Sequence, residues 1–453
     1  MLKSFRVANH KSIRDEQQLL LTSAYDKAAT VVPVAAVFGA NASGKSNLLD
    51  ALRWMQFAVR GSYGRWEADS GIPRTAFRLD AQASSRPSTY VVDLVLDSVP
   101  HTYGFSVDEW NVLEEWLYSY PHKHKRVIFE RSADTVEFGS TVPERKSRAE
   151  LISSFMRNNS LLLSTAMQAN QEEVAPVYRW FRRLRVVASS GYGRRSVSPA
   201  LIDQVARMSA ESPELVELLQ VADLGISDIK VIETFEQPSA VERDRARRLE
   251  DELFAIEQAL SADVEEATRL AHRRTMMQRE VEQLLSARRR SELLLLHGND
   301  RVALSLREQS DGTIAWLNLL VPVLTALRTG SPVVTDEIDA SLHPRLSARL
   351  IELFRNPQTN PHGSQLIFTT HDATLLGTSF GRDILRRDEI WFVEKDVSGS
   401  TRLFPLTDFH PRTEENTERR YLNGSYGAVP AVFSDTLVNQ LLATRTGDGS
   451  GTP

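Results

Sequence analysis

Residues 38–47 read FGANASGKSN, and no other stretch constrains the fold as strongly. Gly39 and Gly44 bracket four residues and are followed by Lys45 and Ser46. The preceding VVPVAAVF (31–38) is apolar and rich in valine, the pattern of a buried strand. The following KSNLLDALRWMQFAV (45–59) spaces Leu48, Leu49, Leu52 and Met55 as one face of a helix. Strand, glycine loop and helix in that order predict a phosphate-binding loop. Glycine lets the backbone turn tightly and bring its N–H groups close to an anion. The helix N-terminus adds a favourable field. Lys45 is then placed to reach the β- and γ-phosphates of a nucleotide, and the Ser46 hydroxyl to hold Mg²⁺. Asn41 and Asn47 flank these groups and join them as candidate nucleotide contacts. A glycine turn that binds nothing is the plainer alternative; both flanking elements speak against it.

Far downstream lies SPVVTDEIDASLHP (331–344). Val333 and Val334 suggest a buried strand with Asp336 and Glu337 at its end. Carboxylates at strand ends of an α/β sheet face the ligand crevice. Asp336 is expected to hold Mg²⁺, and Glu337 to polarise the attacking water. A further apolar strand, QLIFTTHDATLL (365–376), ends in Thr369, Thr370 and His371. His371 is expected to meet the γ-phosphate or the water. About 290 residues separate Lys45 from Asp336, far more than a compact P-loop domain needs, so a large insertion lies between them.

The order of these motifs resembles the ABC-type ATPases, in the branch that holds SMC and DNA-repair proteins. LREQSDGTIAWLNLL (306–320) stands where that resemblance expects a signature segment. It implies that Ser310 and Gly312 touch the γ-phosphate of ATP held by the opposite subunit. FRVANHKSIRDEQQLLL (5–21) is similar to the opening strands of the branch, where a residue near Lys11 or Ser12 meets the nucleotide. Asp339 and His343-Pro344 fit a dimer-contact loop. RRDEIWFVEKD (386–396) and RRYLNGSYGAVP (419–430) fit the closing segments of one group, the bacterial and archaeal AAA ATPases of the abortive-infection type. That group resembles the overcoming-lysogenization-defect family without its Toprim nuclease. The resemblance implies an α/β ATPase head, a mixed sheet with flanking helices, carrying a helical or coiled-coil insertion. The signature has one glycine where transporters have two. The glutamine that usually links Mg²⁺ to the regulatory arm has no clear counterpart; Gln82, near Phe77-Arg78-Leu79-Asp80, stands closest.

Four segments are expected: residues 1–140, the first part of the head; 141–292, a mainly helical insertion; 293–434, the second part; and 435–453, a polar tail. Strand-like runs between 88 and 131 predict a small antiparallel sheet. Residues 239–290 carry Leu249, Leu253, Ile256 and Leu260 on one face amid charges of both signs. That is one long helix of roughly 75 Å, a hairpin broken near Ser261-Ala262-Asp263, or a short coiled coil. Arg288-Arg289-Arg290 and Arg182, Arg183 and Arg185 leave a nucleic-acid contact open, though such runs are more often simply exposed.

The formal net charge of −5 gives no bulk basic character. The chain has no cysteine, which excludes disulfides and thiolate metal sites and suits the cytoplasm. WLNLLVPVLTAL (316–327) is shorter than the roughly 20 apolar residues of a membrane helix, so no membrane is expected. Three readings follow. The first is an ATPase motor or switch that closes as a dimer around ATP; the resemblance adds defence against phage through a separate toxin or nuclease effector. The second is a DNA-repair ATPase that binds DNA itself. The third is a nuclease of the lysogenization-defect type, for which only about 80 residues remain after His371.

Overall fold

The structure, a computed structural model, describes residues 1–25, 31–187, 198–211, 213–221, 225–258, 273–274, 276–278, 280–282, 284–285, 288–378, 381–412 and 415–429. The chain forms two compact units, residues 1–191 with 322–453, and residues 192–321.

The first unit holds two sheets around one helix. β1 (Leu2–Ala8), β2 (Gln17–Leu20), β4 (Ser88–Leu96), β5 (Val99–Val107), β6 (Val112–Ser119), β7 (Arg126–Ser132) and β8 (Thr135–Phe138) form an antiparallel sheet of order β2-β1-β4-β5-β6-β7-β8. The second sheet is built from β3 (Val34–Gly39), β9 (Arg185–Val187), β13 (Val333–Thr335), β14 (Leu366–Thr370), β15 (Ile390–Lys395) and β16 (Thr401–Pro405). Its order is β16-β15-β3-β14-β13-β9. All pair in parallel except β16. The expected mixed sheet of an α/β head is therefore present.

Helix α1 (Lys45–Arg65) lies in the core between the sheets. Its apolar face, Leu48, Leu52, Met55 and Val59, is buried with Phe5 and Tyr90 of one sheet and Val37 and Ile367 of the other. Trp54 stacks on Tyr90 with ring centres 4.6 Å apart. Gln365, just ahead of β14, links the sheets directly: its carboxamide accepts from Leu2 N at 2.6 Å and donates to Leu2 O at 2.8 Å. The closing segment covers the central sheet with aromatic rings, as Tyr421 and Tyr426 both stack on Phe392.

The short helices α2 (Ala81–Ser85), α3 (Arg145–Ser153), α4 (Leu162–Gln168) and α5 (Ala175–Arg183) complete this part of the head. The boundary expected at 140 is thus displaced to 191: α4 and α5 pack on α1, and β9 pairs with β13. Arg182 and Arg183 stand exposed at the end of α5.

The second unit is less helical than its charge pattern suggested. Beside α6 (Pro199–Glu211), α7 (Pro213–Val221) and α8 (Ala240–Gln258) it holds an antiparallel sheet, β10 (Ile226–Glu236), β11 (Arg288–His297) and β12 (Val302–Ser305). Arg288, Arg289 and Arg290 begin β11 and do not end a helical arm. The described residues of the arm pair as the two legs of a hairpin do. Arg245 pairs with Glu280 and Arg273 with Glu252, 35 and 21 residues apart, so the two pairs nest in one antiparallel register. The expected break at Ser261-Ala262-Asp263 lies outside the described residues, as does the tail after 429.

Helix α9 (Asp311–Thr329) crosses the division between the units, which falls at Pro322. Proline removes the N–H that would bond the Asn318 carbonyl. By length and composition this 19-residue helix could cross a membrane, because the helix extends beyond the apolar run on both sides. In the fold 61% of that window is buried, as in a core helix. Helix α10 (Pro344–Arg355) connects β13 to β14, and α11 (Thr417–Leu422) lies near the end of the described chain.

Candidate nucleotide site

The site grows from the carboxyl ends of three neighbouring parallel strands. β14 lies between β3 and β13, in register Thr370↔Phe38 and Phe368↔Thr335. Gly39, the pair Asp336-Glu337 and His371 therefore emerge at one edge of the sheet. This is the crevice position at which open α/β sheets bind ligands.

The two loop glycines are required for different reasons. A Cβ on Gly39 would lie 2.4 Å from the Val393 carbonyl oxygen of the adjacent strand. Gly44 has φ +111°, and a Cβ there would lie 2.1 Å from Thr401 Oγ1. Thr401 backs the loop: its hydroxyl donates to Ser43 O at 3.1 Å and lies 2.7 Å from Ser12 Oγ. Ser12 Oγ in turn accepts from Asn47 Nδ2 at 2.6 Å. Asn47 thus braces the rear of the loop through its side chain. Asn41 and Ser46 are exposed at its front.

Lys45 is almost fully buried. Its ammonium donates to Gly39 O at 2.7 Å and Ala40 O at 2.9 Å, and lies 3.4 Å from His371 Nδ1. Burial lowers its pKa to about 8, against the opposing pull of Asp336, Glu337 and Asp339. The lysine therefore sits among three carboxylates and the histidine. Lys11, expected near the nucleotide, is ion-paired to the helix that carries Lys45. Its ammonium is 2.6 Å from Asp50 of α1, one turn beyond Ser46.

Asp336 and Glu337 are organised by β14. Thr369 Oγ1 donates to Asp336 Oδ1 at 2.5 Å and accepts from Glu337 N at 2.7 Å. Glu337 has φ +51°, a backbone conformation few glutamates adopt. Its Oε1 is 3.8 Å from His371 Nε2, and about two-fifths of the Glu337 side chain is open to solvent. The His371 amide donates to Asp339 Oδ2 at 3.4 Å, while Asp339 Oδ1 is buried without a hydrogen-bond partner. Burial first, then the Lys45 charge, lowers the His371 pKa. The imidazole is therefore neutral at neutral pH and keeps one ring nitrogen as an acceptor.

Ser310 and Gly312 belong to the second unit. Ser310 Oγ accepts from Thr313 N at 3.1 Å at the start of α9, and the residue is exposed. Gln82 is exposed on α2, where its backbone N–H caps onto Asp80.

The oxygen donors Ser46 and Asp336 fit a hard cation. Among the described residues no group of three His, Cys, Asp or Glu could hold a metal alone. Mg²⁺ binds through one or two protein oxygens together with phosphates and waters, and Ser46 and Asp336 are oxygen donors of that kind.

Thr369 and Thr401 carry site roles that motif reading did not assign. For Thr369 the signal was present: two adjacent threonines close a strand that is otherwise apolar. Thr401 had no local signal, because its role depends on β16 lying behind a loop 358 residues earlier.

None of the curated proteins matches this chain. Among solved structures it is similar to the SMC head domain from Thermotoga maritima, at 13% identity and a TM-score of 0.36, over 89% of this chain and 98% of that one. It is also similar to the Smc head domain with an extended coiled coil bound to the C-terminal domain of ScpA from Pyrococcus furiosus, at 14% identity and a TM-score of 0.38, over 90% and 97%. The model of one family, described as "AAA domain, putative AbiEii toxin, Type IV TA system", matches residues 34–377. That span holds the glycine loop, Ser310, the carboxylate pair and His371, and the chain belongs to this AAA-domain family.

Proposed function

We propose that the protein binds Mg·ATP and hydrolyses it to ADP and phosphate, in a site that a second copy of the chain completes. The observation that supports this is the convergence of Lys45, Asp336, Glu337 and His371 at the ends of β3, β13 and β14. Lys45 and the N–H groups of the loop hold the β- and γ-phosphates. Ser46 and Asp336 hold Mg²⁺, which when bound neutralises charge that develops on the phosphates. Glu337 is exposed enough to reach a water and accepts its hydrogen bond; His371 supports Glu337 or the γ-phosphate. Ser310 and Gly312 of the second copy present a hydroxyl and a helix N-terminus to the same phosphate.

Closure around ATP makes the assembly a switch. The family description names a toxin of a type IV toxin–antitoxin system. That supports a toxin–antitoxin context; within it we read the chain as the ATPase that controls a separate effector, a toxin or nuclease, in cytoplasmic defence against phage. Direct DNA repair and an intrinsic nuclease find no comparable support among the described residues.

The test measures ATP hydrolysis and molecular mass together, with and without ATP, for wild type and Glu337→Gln. Turnover by wild type is expected, with a loss of about 10²-fold or more in the variant and an ATP-dependent dimer that accumulates. Normal hydrolysis by Glu337→Gln would remove Glu337 as the base. A wild type that neither hydrolyses ATP nor changes mass would overturn the switch.

A further inference from the structure

We propose that Thr369 is a positioning residue of this site: one buried hydroxyl sets both the metal-side carboxylate and the backbone of the base. The inference rests on the ATPase reading above.

Thr369 is fully buried on β14. Three hydrogen bonds run from it to consecutive residues. Its Oγ1 donates to Asp336 Oδ1 at 2.5 Å. The same atom accepts from Glu337 N at 2.7 Å. Its carbonyl accepts from Ile338 N at 3.0 Å. The polarity of the hydroxyl is fixed by its partners, since an ionised carboxylate can only accept and an amide N–H can only donate. No rotation of the hydroxyl serves both partners in any other way.

Each bond has a separate consequence. The first fixes the plane of the Asp336 carboxylate where β13 ends. The second holds Glu337 in its left-handed conformation at φ +51°, which costs about 1 kcal/mol or more. That conformation turns the glutamate side chain towards His371, 3.8 Å away. β-Branched valine suits a buried strand equally well and has almost the same shape. It would remove the hydroxyl that the part-buried Glu337 N–H and Asp336 Oδ1 both use. The hydroxyl is therefore needed for Asp336 and Glu337, and the strand itself does not require it.

The test compares wild type, Thr369→Val, Thr369→Ser and Thr369→Ala, each first checked for folding by circular dichroism. A fluorescent ATP analogue is titrated in EDTA and then against Mg²⁺, and turnover is measured separately. In EDTA the variants should bind as wild type does, through Lys45 and the loop. Thr369→Val should need about tenfold more Mg²⁺ for half-maximal tightening. Its kcat should fall about 100-fold while KM at saturating Mg²⁺ changes little. Thr369→Ser, which keeps the hydroxyl, should recover both properties. If Thr369→Val does not fold, Thr369→Ser and Thr369→Ala, which differ by the hydroxyl alone, provide the same comparison. Equal Mg²⁺ dependence and equal kcat across a folded pair would overturn the inference, as would a folded Thr369→Ser that behaves like Thr369→Val. A wild type that shows no turnover fails the ATPase reading, and the Mg²⁺-dependent binding still decides the role of Thr369.

Discussion

Asp50 shows how much of the site is held from behind. Burial alone would raise the pKa of this carboxyl, but hydrogen bonds from His10 at 3.0 Å and Lys11 at 2.6 Å outweigh it and bring it down to about 2. The depressed value means that the network contributes stability that is fully present above the unfolded pKa of 3.8 and lost as the pH falls through about 2. Asp50→Asn should therefore cost about 1–2 kcal/mol at pH 7. The gap from wild type should close between about pH 4 and pH 2, which thermal unfolding across that range checks. A constant gap would mean that the loss is one of packing. His10 also meets Tyr90 at 2.8 Å, so the network ties the antiparallel sheet to the helix that carries Lys45.

At the scale of elements, the hairpin that includes α8 separates visible charge from hidden packing. Its cross-pairs are well exposed: Arg245 is 64% and Glu280 41% open to solvent. Exposed pairs of this kind contribute less than about 1 kcal/mol, because water screens the charges and ordering long side chains costs entropy. Ala246, by contrast, is buried. Arg245→Glu should leave the thermal midpoint nearly unchanged, whereas Ala246→Glu should lower it clearly, by burying an unpaired charge. The opposite order would show that the ion pairs hold the hairpin. Sequence alone left a straight helix, a hairpin and a short coiled coil open, because all satisfy the same periodicity. The common antiparallel register of the two ion pairs favours the hairpin.

For the whole molecule, the proposed function turns on where Ser310 acts. It belongs to one unit and Lys45 to the other. If a second copy supplies it, Lys45→Ala and Ser310→Arg should each abolish hydrolysis as pure proteins. An equal mixture should then recover about a quarter of wild-type activity: half of the random dimers are mixed, and each has one intact site of two. A mixture as inactive as its components would mean that both residues serve one subunit's own site. ATPase assays on co-purified mixtures decide this.

The sequence by itself determined every local feature of the site: the strand, glycine loop and helix at 31–59, the carboxylates after Val334, and the histidine after β14. Each is written in a few adjacent residues, through apolar periodicity and the backbone freedom of glycine. Only the tertiary structure decided what these features meet. Strand order places Phe38 beside Thr370, from distant parts of the chain, and Asp336 beside Thr369, 33 residues apart. The same order brings Thr401 behind Gly44 and assigns residues 141–187 to the head. β10 and β11 were missed for the same reason, since strands 52 residues apart pair by backbone hydrogen bonds that no local pattern encodes. Side-chain hydroxyls such as Thr369 gain their function only after that pairing is complete.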